Sequence, residues 1–238
     1  ASNEVRRKLI ASWGPFGEAC IKTYEGDVEP IVRAMLDHGV SIARPKRVYL
    51  DIETDSRVSF ANKERMRVLA YALVDAETGE CTTDVLRTDS DLDKRELLTK
   101  LWERCLPYDQ IVAWNGDDFD FYVLHSRSRM HGVNYAPHRW LFLDHLKVFK
   151  RMNTAAESGD EKQSMALQNV AMSFLGEGKD DFDAKYTWQA WEADGEQRER
   201  MVRYCAKDTM LLYKLEERTG FLELFQTLCE ACGVFPDS

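Results

Sequence analysis

The chain has 238 residues, 44% of them hydrophobic and 31% charged, with 32 Lys and Arg against 41 Asp and Glu for a formal charge of −9. That length suits one large domain or two small ones, and that composition excludes a disordered chain. The acidic balance, with a pI of about 5.2, argues against a surface that grips nucleic acid throughout, but leaves room for a small cationic groove or a site whose charge a metal offsets.

No run approaches the roughly 18 apolar residues of a membrane span, so no membrane partner is expected. No charged-then-apolar leader begins the chain, so the expected location is cytoplasmic or a host-cell interior, at a nucleoid or replication site, and not secreted. The six cysteines, at 20, 81, 105, 205, 229 and 232, follow no disulfide framework and fit a reducing interior. Cys229 and Cys232 form a lone C-x-x-C without further ligands at zinc spacing, and helix packing is the simpler use. The first residue is Ala rather than Met, as expected for a piece of something longer.

A first section, 1–46, is mixed and ends in ARPKR; within it VEPIVRAMLDHGV (28–40) reads as a helix closed by Gly39. From residue 47 the pattern becomes α/β. VYLDIE is a strand, MRVLAYALVD (66–75) a second and CTTDVLRTD a third after the turn ETGE, three in hairpin succession. DLDKRELLTKLWERC (91–105) reads as a helix with Asp93 and Glu96 at capping-box spacing. QIVAWNG (110–116) is a short strand stopped by Asn-Gly, and a helix follows from about Phe119 to His131. The remainder is mostly helical: MALQNVAMSFLG capped by Ser164 and ended by Gly176, a long helix over 196–217, and a last one over 221–232. This order predicts an α/β domain with a mixed sheet.

Three acidic segments stand out. Strand alternation puts Asp51 and Glu53 on one side, with Ile52 opposite; a solvated strand end and a cation site both fit that triplet. In WNGDDFDFYVL (114–124), Asp117 and Asp118 suit a helix cap, leaving Asp120 held between Phe119 and Phe121. In VRYCAKDTMLLYKL (202–215), Tyr204 and Asp208 share one helical face, which also suits an apolar stripe with Asp208 at its wet edge. Together, four carboxylates with a tyrosine one turn before the last form a hard oxygen set suited to Mg²⁺ or Mn²⁺. Two such ions can activate water and clamp a phosphate.

In order and spacing these segments resemble the three motifs of the DEDD exonucleases, in the ribonuclease H-like DnaQ superfamily: D-I-E at 51–53, N-x-x-x-F-D at 115–120 and Y-x-x-x-D at 204–208. The nearest form is the tyrosine subclass, the proofreading 3′→5′ exonuclease domain of family B DNA polymerases. TYEGDVEPIVRAMLDHGV and SMALQNVAMSFLGEGKDDF resemble its flanking stretches, so the likeness covers roughly residues 22–234. It implies a ribonuclease H-like sheet of five-stranded type, with three antiparallel strands plus parallel ones, flanked by helices. It implies a leading segment over 1–46 and the exonuclease domain over 47–238, ending near the junction to an absent palm.

The resemblance also implies roles. Asp51 would bridge two metals, Glu53 and Asp208 would hold the one carrying the nucleophilic water, and Asp120 would support the other. Tyr204 would orient the attacking water, a task no histidine here is placed to take. Asn115, Phe119 and Thr54 would touch the single-stranded DNA 3′ end. Trp114 and Tyr122 could stack on bases, although both also suit a core. Arg198, Arg200, Arg203 and Lys207 lie among Glu192, Glu196 and Glu199 and read as a solvated charged face. Asp144 matches a position taken as structural, and Asp55, without a slot in the pattern, is assigned to a loop.

The implied activity is removal of single nucleotides from 3′ ends of single-stranded DNA, with palm, fingers and thumb as partners in cis. A free-standing RNA exonuclease and a non-catalytic nucleic-acid scaffold remain alternatives. The presence of all four acids and the tyrosine counts against the scaffold.

Overall fold

The computed structural model describes residue 8 and residues 44–153, 164–178 and 182–232. The helix expected over 28–40 lies outside them. Packing divides the chain into two compact units, one of residues 44–224 with 238, the other of 1–43 with 225–237. Of the second, the described part is residue 8 and the end of a helix running to Cys232, in which Cys229 is buried and Cys232 exposed.

The first unit is built on a five-stranded sheet of order β3-β2-β1-β4-β5. Strand β1 is Arg47–Thr54, β2 Val68–Asp75, β3 Cys81–Val85, β4 Gln110–Ala113 and β5 Leu141–Asp144. The β1/β2 and β2/β3 pairs are antiparallel; β1/β4 and β4/β5 are parallel. The expected mixed sheet is therefore present, and the run LFLD supplies its fifth strand. Seven of the eight β2 residues are buried, as a central strand covered on both faces requires.

The two faces of β1 divide the protein. Val48, Leu50 and Ile52 join a core with Leu97, Leu101 and Trp102 of helix α1 (Asp91–Cys105) and with Phe121 and Leu124 of α2 (Asp120–Met130). On the opposite face, Tyr49 meets Tyr213 edge-on with ring centroids 5.9 Å apart. Tyr213 belongs to the longest described helix, Gly195–Thr219. Across the ladder, Asp51 pairs with Ala72 and Glu53 with Ala70, small residues that let this helix lie low over the sheet.

The remaining helices are α3 (His145–Met152), α4 (Leu167–Leu175), α5 (Thr187–Ala193), the long helix α6 and α7 (Phe221–Cys232). Three expected caps differ. Helix α1 is capped by Ser90, whose hydroxyl accepts the N–H of Asp93, while Glu96 pairs with Arg87 and Lys100. Helix α2 has Phe119 at its cap position and no side-chain cap, because Asp117 pairs with Lys147. Helix α4 has Ala166 at its cap position, two residues beyond Ser164, and no side-chain cap. Among the described residues, no helix is long and apolar enough to cross a membrane.

Helix α6 ends at Gly220, in the left-handed region at φ 62°. Just before it the buried Glu216 carboxylate accepts the N–H of Leu222 at 3.0 Å and lies 3.3 Å from Nε2 of the fully buried His145. Removing one partner of such a cluster leaves buried donors unsatisfied. Glu216→Ala is therefore expected to cost about 3 kcal/mol, measured by denaturant unfolding, with Glu216→Gln losing less because its amide oxygen still accepts from Leu222.

Candidate active site

Strand β1 delivers Asp51 and Glu53 beneath α6, and the β2 pairing shifts register between Glu53 and Thr54. Glu53 is buried and Asp51 partly so. From α6, the thiol of Cys205 reaches the main-chain oxygen of Asp51 at 3.5 Å and its Oδ2 at 3.6 Å. One donor atom each from Asp51, Glu53 and Cys205 lie within 4.8 Å of one another. Burial, then the charges of Asp51, Glu53 and Asp208, push the Cys205 thiol well up; Asp208 is buried three positions after Cys205 on α6.

Asp120 arrives from the opposite side. The backbone turns sharply at Asn115, which has φ 61°. The Asp144 carboxylate holds that turn, accepting N–H groups from Asn115 at 3.0 Å and Leu146 at 3.0 Å. A Cβ on Gly116 would stand 2.6 Å from the ring of Phe121, so this position admits only glycine without movement of α2. Asp120 thus opens α2, 3% exposed. Its carboxylate accepts the N–H of Ile52 while its Oδ1 has no hydrogen-bond partner. Burial first, and the charge of Asp51 second, hold its pKa well above the ordinary carboxylate range.

Strand β1, helix α2 and helix α6 therefore bring Asp51, Glu53, Asp120 and Asp208 into one neighbourhood. A buried carboxylate oxygen without a donor, beside another anion, is what a divalent cation would relieve. Hard oxygen donors from carboxylates fit Mg²⁺ or Mn²⁺, and the Cys205 thiol is the one soft donor at the cluster. That thiol went unread in the sequence, where Cys205 could be seen only as a small residue on the buried stripe Met201, Tyr204, Asp208, Leu211 and Leu215.

Tyr204 lies one turn before Asp208, its ring 5.0 Å from that of Phe182. Thr54 is buried, with its hydroxyl 3.5 Å from the sulfur of Met66. Phe119 stacks on the exposed ring of Phe60, centroids 5.7 Å apart and planes 11° apart. Lys63 lies over both Phe60 and the exposed Tyr122 and bonds the carbonyl of Asp118. These aromatics and their cation form one surface beside Asp120; Phe60 and Lys63 carried no motif to mark them. Trp114 is committed inward, donating to the carbonyl of Met165 at 3.1 Å and packing on Phe149.

Asp55, placed in a loop, is nevertheless buried. Arg57 donates to its Oδ2 at 2.9 Å and Arg67 at 2.7 Å. Burial alone would raise its pKa, and the two guanidinium groups reverse this and hold it at about 2. A depressed folded-state pKa gives stability that is present above about pH 4 and lost as pH falls toward 2. Acid titration of unfolding is expected to lose at most about 2 kcal/mol through this group, and Asp55→Asn should flatten that part of the profile while lowering stability at neutral pH.

A family model described as the RNase_H superfamily matches residues 48–219. The DNA polymerase of Thermococcus gorgonarius is 26% identical over 233 residues, covering 83% of this chain and 28% of that protein. The DNA polymerase of Thermococcus kodakarensis is 26% identical over 233 residues, covering 83% of the chain and 13% of that protein. The chain thus spans under a third of either relative. In fold, it superposes with TM-score 0.72 and 18% identity on the family B DNA polymerase from the hyperthermophilic archaeon Pyrobaculum calidifontis, covering 98% of this chain and 36% of that one.

Proposed function

The chain belongs to the RNase_H superfamily, and from that premise we propose that it is a metal-dependent 3′→5′ exonuclease, the proofreading domain of a family B DNA polymerase. The observation that carries this reading is Asp51 and Glu53 meeting Cys205 of α6, the helix that also bears the buried Asp208, together with the buried Asp120, whose Oδ1 has no hydrogen-bond partner. The likeness to DNA polymerases supports DNA as the substrate and a palm, fingers and thumb in cis as partners. On this reading residues 1–46 lead into an exonuclease domain over 47–238.

Asp51 would be shared between two Mg²⁺ or Mn²⁺ ions, Glu53 and Asp208 would hold one, and Asp120 would support the second. When bound, such ions neutralise charge on the phosphate and make water a stronger nucleophile. The protein's own part begins with the substrate. Phe119, Asn115 and the backbone at Thr54 position the unpaired 3′ end, which a rigid duplex would not deliver. The Tyr204 hydroxyl orients the attacking water. A P–O bond forms to that water, the P–O3′ bond to the preceding nucleotide breaks, and the water's proton passes to the departing 3′ oxygen. The released product is a nucleoside 5′-monophosphate.

Single-stranded DNA labelled at its 5′ end tests the reading by shortening one nucleotide at a time. Phe60 extends the stacking surface of Phe119, and base–aromatic stacking contributes about 1–3 kcal/mol per base. Phe60→Ala is therefore expected to weaken single-stranded DNA binding about tenfold, read by fluorescence anisotropy in a chelator so that no cleavage occurs.

A further inference from the structure

Helix α5 and the first turns of α6 enclose a groove of about 450 Å³, lined by Phe182, Tyr186, Gln189, Ala193, Gln197 and Arg200. That volume lies in the usual range for small-molecule sites, roughly 300–1,000 Å³. We propose that this groove receives the nucleoside 5′-monophosphate released at the candidate active site, which makes it a product subsite. The inference rests on the exonuclease reading above.

The lining supplies each recognition element that ligand needs. Phe182 and the exposed Tyr186 offer aromatic faces for a base. Gln189 of α5 and Gln197 of α6 bring carboxamides, able both to donate and to accept, to the groove's lining. Arg200 supplies a guanidinium, suited to a terminal phosphate, 6.0 Å from the Phe182 ring. The groove's acid, Asp183, is paired with Lys185, so it does not set the local charge alone.

Continuity with the site gives the direction. Phe182, which lines the groove, also packs on Tyr204. In an in-line displacement the attacking water and the departing 3′ oxygen occupy opposite sides of phosphorus. The shortened strand leaves on one side; Tyr204 stands on the water's side. A nucleotide that keeps the phosphate can therefore clear the site past Phe182 without crossing the strand. Arg200, read in the sequence as part of a solvated charged face, is the groove's phosphate partner. Arg198 beside it turns inward to the carbonyl of Trp191 at 2.7 Å instead.

Titration of the full chain with deoxyadenosine 5′-monophosphate, followed by NMR in a chelator, tests this without turnover. Saturable binding is expected, weaker by about fivefold or more in Ala193→Trp, which fills the groove at an exposed helix end, and in the pair Gln189→Ala, Gln197→Ala. Arg200→Ala should erase the preference for the monophosphate over deoxyadenosine. Initial cleavage rates with product absent should stay within about twofold of wild type in Ala193→Trp, since the groove acts after the chemical step. No saturable binding, or equal affinity in wild type and Ala193→Trp, overturns the subsite. Failure of the wild type to shorten DNA while the groove still binds nucleotide overturns the exonuclease reading instead.

Discussion

Replacing Asp51 and Glu53 together by alanine is expected to lower nucleotide release from single-stranded DNA by on the order of 10³–10⁵-fold, the loss of several kcal/mol of transition-state charge stabilisation. The two side chains share one face of β1 and approach Cys205 within 4.8 Å, so they are placed to act as a unit, and removing either alone should cost nearly as much as removing both. Stability should move the other way. Two neighbouring carboxylates repel in the absence of a cation, so in a chelator the double variant should unfold no lower in temperature than the wild type. Added Mg²⁺ should then raise the melting temperature of the wild type only. A variant that loses activity because it is misfolded would fail that comparison, which calorimetry resolves.

Tyr204→Phe carries the second large effect, a drop in kcat of about 10²-fold with KM within about twofold. The phenyl ring retains the contact with Phe182 and fills the same space, so only the hydroxyl is lost. In the proposed mechanism that hydroxyl orients water in the transition state and does not hold the strand, which is why binding should survive. A rise in KM with kcat unchanged, in single-turnover and steady-state measurements, would assign Tyr204 to substrate binding.

Much of the architecture was legible in the sequence because its elements carry strong local signals. The continuous apolar run of β2, the alternation in β1 and the long stripe of α6 each follow from periods that survive tertiary context. The acidic motifs were legible as a set, though each alone also fitted a bland structural use. Capping was less so. Asp117, next to an acid-rich turn, looked like a helix cap, but a lysine thirty positions away claims it, and sequence spacing holds no record of that pairing. Asp55 shows the same limit: its partners Arg57 and Arg67 lie on either side of a short 3₁₀ turn, and only the folded chain brings both to one carboxylate.

Cys205 and Phe60 were invisible for a different reason. A thiol on a buried helical face is ordinary packing until a strand end places Asp51 beneath it. An exposed phenylalanine is equally ordinary until its ring lies parallel to that of Phe119. Both depend on the crossing of elements distant in the chain, which composition and periodicity do not encode.

The central claim is that these carboxylates form a metal-dependent nuclease site that works from the 3′ end of single-stranded DNA. The most direct test incubates the chain with 5′-labelled single-stranded DNA, and separately RNA of the same sequence, in Mg²⁺ and in a chelator. The account predicts a ladder of DNA products shortened stepwise from the 3′ end in Mg²⁺ and intact DNA in the chelator. No shortening, shortening that the chelator leaves unchanged, or faster shortening of RNA than of DNA would contradict it.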